Sequence, residues 1–384
     1  MSDSESAVQS SQLPQWSEAD NLAMSRALEL AQRGLFTTDP NPRVGCVLVR
    51  EGQIVGEGWH REAGGPHAEA HALAQAGERA RGATAYVTLE PCDHQGRTPP
   101  CSVALLNAGV AEVVCAVEDP DLRVHGGNAR LAAQGVRVRT GLMREQAEAL
   151  NVGFFKRFRQ GLPFVRVKLA MSLDGHTALA NGESRWITSS AARKDAQRFR
   201  ARSSAILTGI GTVLADDPAM NVRLQESDRQ PLRVILDSDL RTPPNSRIVD
   251  RDGKVLIIGT RDDAARRAAL LERCNADVSV EVLILPAVEE GPALREVLAL
   301  LAARGVNELW VEAGAKLAGA FVAQGLVDEL IVYVAPSLLG SGARGLLDLP
   351  ALQSLDQRIR LRFTDMQRIG DDLRLTLTSA PQES

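Results

Sequence analysis

His67 and Glu69 stand in an H-A-E triplet, and Pro91-Cys92 and then Cys101 follow downstream. One imidazole and two thiolates make a three-ligand zinc set that leaves a fourth position for water. Zinc lowers the pKa of a coordinated water from about 15.7 to about 7, so hydrolysis proceeds near neutral pH. A carboxylate such as Glu69 beside that site is expected to take a proton from the water and hand it to a departing amine. Together these residue types point to hydrolytic deamination of an amino-bearing base.

The spacing constrains the elements that must carry these groups. Residues two apart do not share a face of a regular helix, so His67 and Glu69 reach one metal only from a first turn. Gly64-Gly65-Pro66 marks such a start. Pro91-Cys92, directly after Thr88-Leu89-Glu90, puts a thiolate at another helix entry, where the dipole favours an anion. Other readings of the same residues stay open. A lone H-x-E carries little information, and buried cysteines often act as small hydrophobes. His71, four residues after His67, or His94 would close the site as a fourth protein ligand and make the zinc structural.

At 384 residues the chain exceeds what one core usually holds, and two domains are expected. The net charge of −4 gives no global attraction to nucleic acid. No stretch approaches the roughly 20 apolar residues that cross a bilayer. Five cysteines do not make a disulfide framework, and an odd number fits a reducing, cytoplasmic setting. Residues 1–16, rich in Ser and Gln, read as a disordered tail. The expected partner is a small molecule, with no nucleic acid and no membrane, and the chain is expected to be a homo-oligomer.

Helical and strand patterns alternate twice. A capped helix start at Ser17-Glu18-Ala19-Asp20 precedes strands at 44–49 and 54–58, a helix at 67–80, a strand at 85–89, and further alternation to Arg139. Residues 17–150 thus form a first α/β domain. Asn151 to Phe164, with Phe154, Phe155 and Phe158 among basic residues, reads as the junction. In a second domain, 151–384, apolar strands are expected at 165–170, 205–208, 233–236, 255–258, 280–285, 308–311 and 329–334. Helices are expected at 191–201, 292–303 and 316–324. Unbroken apolar runs suit a mostly parallel sheet buried on both faces.

The second domain carries two glycine turns. Glu312-Ala313-Gly314 ends a strand ahead of a helix, whose unpaired amides suit a pyrophosphate. The run Gly314 to Gly319 lacks the middle glycine of G-x-G-x-x-G, so no Rossmann fingerprint is present. Gly209-Ile210-Gly211-Thr212 ends another strand. Each turn is a weak signal alone.

The stretch T-L-E-P-C-D-H-Q-G-R-T-P-P-C, Thr88 to Cys101, resembles the deaminase half of the bifunctional riboflavin biosynthesis proteins. Pro40 to Gly45, Lys168 to Gly175, Thr212 to Pro218 and Gly325 to Pro336 are similar to the same family. The resemblance implies an α/β chain with a cytidine-deaminase-like three-layer domain followed by a dihydrofolate-reductase-like domain. The implied first reaction is zinc-dependent hydrolysis of the 2-amino group of 2,5-diamino-6-ribosylamino-4(3H)-pyrimidinone 5′-phosphate. The implied second is NADPH-dependent reduction of the ribosyl group to ribityl. His67, Cys92 and Cys101 would hold Zn2+, with Glu69 as proton carrier and Asn41, His94 and Arg97 against the substrate. Ala170, Trp186, Thr212, Asp216, Ser238 and the run Gly314, Ala315, Lys316, Leu317, Ala318, Gly319, Ala320 would contact NADPH. Ser184, Arg200, Met220, Arg223 and Glu312 would contact the reductase substrate. One departure stands out. The family tends to have D-P-N-P-x-V where this chain has Asp119-Pro120-Asp121-Leu122-Arg123-Val124, and a carboxylate accepts but cannot donate. Two rivals remain at this stage: a deaminase of nucleic-acid or nucleotide bases, and a zinc-stabilised nucleotide-binding scaffold without catalysis.

Overall fold

Described in a computed structural model, the chain is defined over residues 16–95, 99–288 and 291–380. The expected N-terminal tail, apart from Trp16, lies outside the described residues. Two compact units form. The first holds the chain up to Gly34 and then Arg43–Leu150, and the second holds Leu35–Pro42 and the chain from Asn151.

In the first unit, α1 (Glu18–Gln32) begins in a capping box in which Ser17 and Asp20 bond reciprocally. The same Asp20 carboxylate accepts from Tyr86 Oη at 2.8 Å and Arg139 Nη2 at 2.8 Å, which fixes the helix to two strands. There follow β1 (Gly45–Arg50), β2 (Gln53–Trp59), α2 (Ala68–Ala76), β3 (Thr84–Val87), α3 (Cys101–Ala108), β4 (Glu112–Cys115), α4 (Gly127–Ala133), β5 (Arg137–Thr140) and α5 (Arg144–Leu150). The sheet order is β2-β1-β3-β4-β5. Because β1 is antiparallel to both β2 and β3, while β3, β4 and β5 pair in parallel, β2 to β5 all end at one edge. Glycines let the helices sit close. A Cβ at Gly45 would collide with the Ala27 carbonyl of α1, and one at Gly56 or Gly58 with backbone of α2. Cys46 and Leu48 face the opposite way from Gly45, into a core with Ala68, Ala72, Leu105 and Leu131. Helices therefore cover both faces, in three layers.

The expected junction is itself helical: α6 (Val152–Gln160) buries Phe154 and Phe155 in the second unit. Then come β6 (Phe164–Ser172), β7 (His176–Ala178), α7 (Ser190–Arg202), β8 (Ala205–Gly209), α8 (Ile210–Asp216), β9 (Leu232–Leu236), β10 (Gly253–Gly259), α9 (Ala264–Leu271) and β11 (Val278–Ile284). After the two-residue strands β12 (Ala287–Val288) and β13 (Gly291–Pro292) lie α10 (Leu294–Ala303), β14 (Glu308–Glu312), α11 (Ala315–Ala323), β15 (Glu329–Ala335), β16 (Arg344–Gly345), β17 (Leu361–Ile369) and β18 (Asp372–Ser379). The nine-stranded sheet runs β11-β10-β9-β8-β14-β6-β15-β18-β17. Its first seven strands are parallel, as the unbroken apolar runs predict, and β18 and β17 close it antiparallel. Alternate residues feed two cores. Val165, Val167 and Leu207 pack with α10 and α11, while Ile206, Ile235 and Trp310 pack with α7 and α9.

Segment 35–42 joins this unit by specific bonds, a departure from the single boundary read from the sequence. Arg229 Nε donates to the Phe36 carbonyl at 3.1 Å, Ser204 Oγ to Asp39 at 2.6 Å and Asn307 Nδ2 to the Pro40 carbonyl at 2.8 Å. Where the parallel strands start, Glu308 is buried between Arg166 and Arg202 (2.9 Å), and Arg166 also meets Glu329 at 2.5 Å. Removing one member of a buried ion network strands the others in low dielectric. Glu308→Ala should therefore cost about 3 kcal/mol or more, read as a lower denaturant midpoint of this unit. An unchanged midpoint would show that the guanidiniums find other partners.

Candidate active sites

In the first unit the carboxyl edge of β2 to β5 gathers the chemistry. His67 is the N-cap of α2 and Glu69 lies in its first turn, as Gly64-Gly65-Pro66 predicts. Cys92 follows β3, and Cys101 opens α3. His67 Nδ1 lies 3.5 Å from Cys92 Sγ and 3.3 Å from Cys101 Sγ. One ligand atom from each of the three lies within 4.8 Å of the others. Among the described residues no other group joins this set: His71 stays out of it, and His94 is exposed on the loop after Cys92. One imidazole and two thiolates converging from three chain segments are a donor set suited to zinc, with no fourth protein ligand among the described residues.

The three groups are electrostatically coupled, with Cys101 pushed upward by its contact with Cys92. Contact with Cys101, and then with His67, holds Cys92 well below the ordinary thiol range. The Cys92 contact raises His67 to about 9. Burial pushes the Glu69 carboxyl upward, raising its affinity for a proton. Asp119, on the loop after β4, is likewise pushed by burial to about 7.

Two buried features hold the Cys92 loop in place. Glu90 accepts from the amides of Asp119, Gly126 and Asn128, each at 3.1 Å, tying the loop to its neighbour. Gly127 packs against the Pro91 carbonyl so closely that a Cβ there would collide with it. Asp121, the departure noted above, is buried and receives Arg123 Nε at 2.8 Å and Nη2 at 2.7 Å, so its carboxylate is engaged by its own loop. Asn41 lies in the segment 35–42 of the second unit. Arg97 lies outside the described residues.

In the second unit the strand ends again converge. Glu312, at the end of β14, pairs in register with Lys168 of β6. Arg200 grips the Glu312 carboxylate with two bonds, 2.6 and 2.8 Å, and Trp310 Nε1 donates to it at 2.7 Å. Phe199 stacks on Trp310 at 4.9 Å, which brings α7 and its Arg200 to the sheet. Against the opposing effect of burial, Arg200 holds Glu312 down to about 2. Arg200 also reaches the Asn221 carbonyl (3.0 Å) and Met220 Sδ (3.8 Å), so Met220 joins the group. Arg223 bonds Asn221 Oδ1 at 2.7 Å and otherwise points outward. Burial pushes the Lys168 ammonium pKa down, with Glu312 opposing. Sequence reasoning missed Lys168. A second cation, two residues after Arg166 inside the otherwise apolar run V-R-V-K-L-A, was the available signal.

The expected cofactor contacts fall along the same edge. Gly209 caps α8 and Gly314 caps α11, and a Cβ at Gly209 would come within 3.2 Å of Leu317, so the two turns adjoin. Gly211 and Gly314 face open space, a cradle that a phosphate can approach closely. Thr212 and Asp216 lie on α8, and Asp216 pairs with Arg185 at 3.1 Å, next to the exposed Trp186. Arg193 lies 4.3 Å over the Trp186 ring. Ala170 is half-buried on β6, and Ser184 is half-buried in the loop before α7. These residues fit a dinucleotide at the point where the strand order reverses around β14.

His71→Ala should retain close to a full zinc equivalent, whereas Cys92→Ala should lose it, measured by metal analysis of purified protein. Gly127→Ala should lower zinc content when zinc is limiting, because the Pro91 carbonyl must move. A metal-free His71→Ala would make that histidine a ligand.

Comparison with known proteins matches both halves of the chain. Residues 17–117 match the cytidine and deoxycytidylate deaminase zinc-binding region, and residues 163–375 match the RibD C-terminal domain. The riboflavin biosynthesis protein RibD of Escherichia coli is 50% identical over 374 residues, covering 94% of this chain and 100% of that protein. The RibD of Haemophilus influenzae is 48% identical over 95% of this chain and 98% of that protein. The solved Acinetobacter baumannii RibD superposes with a TM-score of 0.87 at 43% identity, over 94% of this chain and 99% of the other. With both halves matched in order and nearly the whole length covered, the chain belongs to the RibD family of riboflavin biosynthesis proteins.

Proposed function

We propose that this chain carries out two consecutive steps on one phosphorylated pyrimidine. The first unit exchanges the 2-amino group of 2,5-diamino-6-ribosylamino-4(3H)-pyrimidinone 5′-phosphate for oxygen from water, releasing ammonia. The second passes hydride from NADPH to the ribosyl carbon of the deaminated product, giving the ribityl chain. A Thermotoga maritima structure bearing both activities in its name superposes with a TM-score of 0.83 at 29% identity, over 94% of this chain and 99% of that one. The convergence of His67, Cys92 and Cys101 around one point, with a buried Glu69 in the same first turn as His67, carries the deaminase assignment.

When bound there by those three residues, zinc supplies Lewis acidity toward water. The protein's own part is proton handling. Glu69 is buried, and its raised affinity for a proton suits it to accept one and return it to the leaving amine. His94, exposed two residues after Cys92, is the side chain this reading offers to the substrate. In the second unit Lys168 is half-buried beside Glu312 and Arg200, and is the group suited to hold the proton that accompanies hydride transfer. Arg223 offers its guanidinium to a phosphate monoester, with Arg200 behind it adding positive charge while it holds Glu312. The working place is the cytoplasm, and no helix among the described residues is long and apolar enough to cross a membrane. Self-association of the chain is supported by the sheet edge β17, which exposes Leu361, Phe363 and Met366.

Selective lesions test the division of labour. Glu69→Gln should lower deaminase turnover by about a hundredfold or more, keep its zinc, and leave reduction of the already deaminated substrate intact. Arg223→Ala should raise the reductase KM about tenfold without weakening NADPH binding. Unchanged reductase kinetics would remove Arg223 from the site. Loss of both activities in Glu69→Gln would contradict the separation.

A further inference from the structure

Two loops at the carboxyl edge of the second sheet are locked together beside the glycine turns. Ser238 follows β9, and Thr260-Arg261 follows β10. The amides of Thr260 (3.1 Å) and Arg261 (2.9 Å) both donate to the Ser238 carbonyl, as does Thr260 Oγ1 at 3.4 Å. Because β8, β9 and β10 pair in parallel, these loops open on the same edge as Gly209. Adjacent strands are about 4.8 Å apart, so the β10 loop lies about 10 Å along that edge from β8. That separation is within the span of a dinucleotide whose pyrophosphate rests on the glycine turns.

The ion pairs at these loops are unevenly shared. Arg267 pairs with Asp262 at 2.9 Å and Arg266 with Asp263 at 3.4 Å. Arg261, at 3.1 Å, and Arg241, at 4.0 Å, both lean on the single carboxylate of Asp239. In these ion pairs Arg261 and Arg241 therefore divide one carboxylate, while the buried Asp237 of the same loop accepts from Thr242 instead. The Arg261 side chain is 71% exposed, and an exposed pair such as Arg261–Asp239 contributes little stability, so its guanidinium is free to take a stronger partner. A phosphate monoester dianion is such a partner, because it accepts two parallel bonds from one guanidinium.

We propose that Arg261, held by the Ser238–Thr260 lock and flanked by Arg241, reads the 2′-phosphate of NADPH and selects that cofactor over NADH. The inference rests on the reductase reading of this unit. Neither the glycine turns nor the Lys168–Glu312–Arg200 group distinguishes the two cofactors, since both carry the same pyrophosphate and nicotinamide.

Calorimetric titration of the zinc-loaded full chain with NADPH, NADH and 2′,5′-ADP tests it. In the unaltered protein NADPH should bind more tightly than NADH. Arg261→Ala should weaken NADPH and 2′,5′-ADP about tenfold or more while NADH changes less than about twofold. Arg261→Lys should keep part of the preference, and deaminase activity should be unchanged in both variants. Parallel losses for NADPH and NADH, no loss for either, or equal affinities in the unaltered protein would overturn the assignment. An unaltered protein that deaminates yet binds neither nucleotide would overturn the reductase reading itself, and the Arg261 assignment with it.

Discussion

Parallel strands cannot be joined by tight turns, so each crossover must leave a carboxyl end and travel back to the opposite edge, mostly through a helix. Every such exit leaves a loop and often a fresh helix start at the same edge, with unpaired amides and room for side chains to converge. Both units of this chain are built on that constraint. In the first, the exits from β2, β3 and β4 deliver His67, Cys92 and Asp119 to one edge. In the second, the exits from β8, β9, β10 and β14 deliver Gly209, Ser238, Arg261 and Gly314.

The two sites solve opposite electrostatic problems within that shared geometry. The deaminase edge collects soft donors and a buried carboxylate, and it anchors their loop through Glu90, whose oxygens are consumed by three backbone amides. The reductase edge collects fixed charge instead. Lys168 and Arg200 flank Glu312, so burial of one carboxylate is compensated from two sides and by the Trp310 ring nitrogen. Such a group keeps its geometry before any ligand arrives, which is what positioning of a phosphorylated sugar requires.

Much of this was legible in the sequence because the signals are local. The zinc set announced itself through residue type and through Gly64-Gly65-Pro66, a helix start that puts His67 at a cap and Glu69 one step inside. The seven parallel strands were visible as apolar runs, since strands buried on both faces lack alternation. What stayed hidden depends on non-local pairing. Lys168 acquires meaning only from its register with Glu312, residues far apart in the chain. The β17–β18 hairpin was missed because β17 is an exposed edge strand whose polar residues interrupt the apolar pattern. Segment 35–42 joins the second unit through Asp39 and Pro40, whose partners Ser204 and Asn307 no local pattern could supply. The departure at Asp121 was visible as a residue change, whereas its engagement by Arg123 was not.

The most direct test of the central claim, two ordered reactions on one chain, is mass spectrometry of the product. Purified zinc-loaded protein would meet the diaminopyrimidine ribosyl phosphate with and without NADPH. The expected result is the deaminated compound in both samples and the ribityl compound only with NADPH. Unchanged substrate from folded, zinc-loaded protein, or reduction of the sugar before the amine is lost, would contradict it.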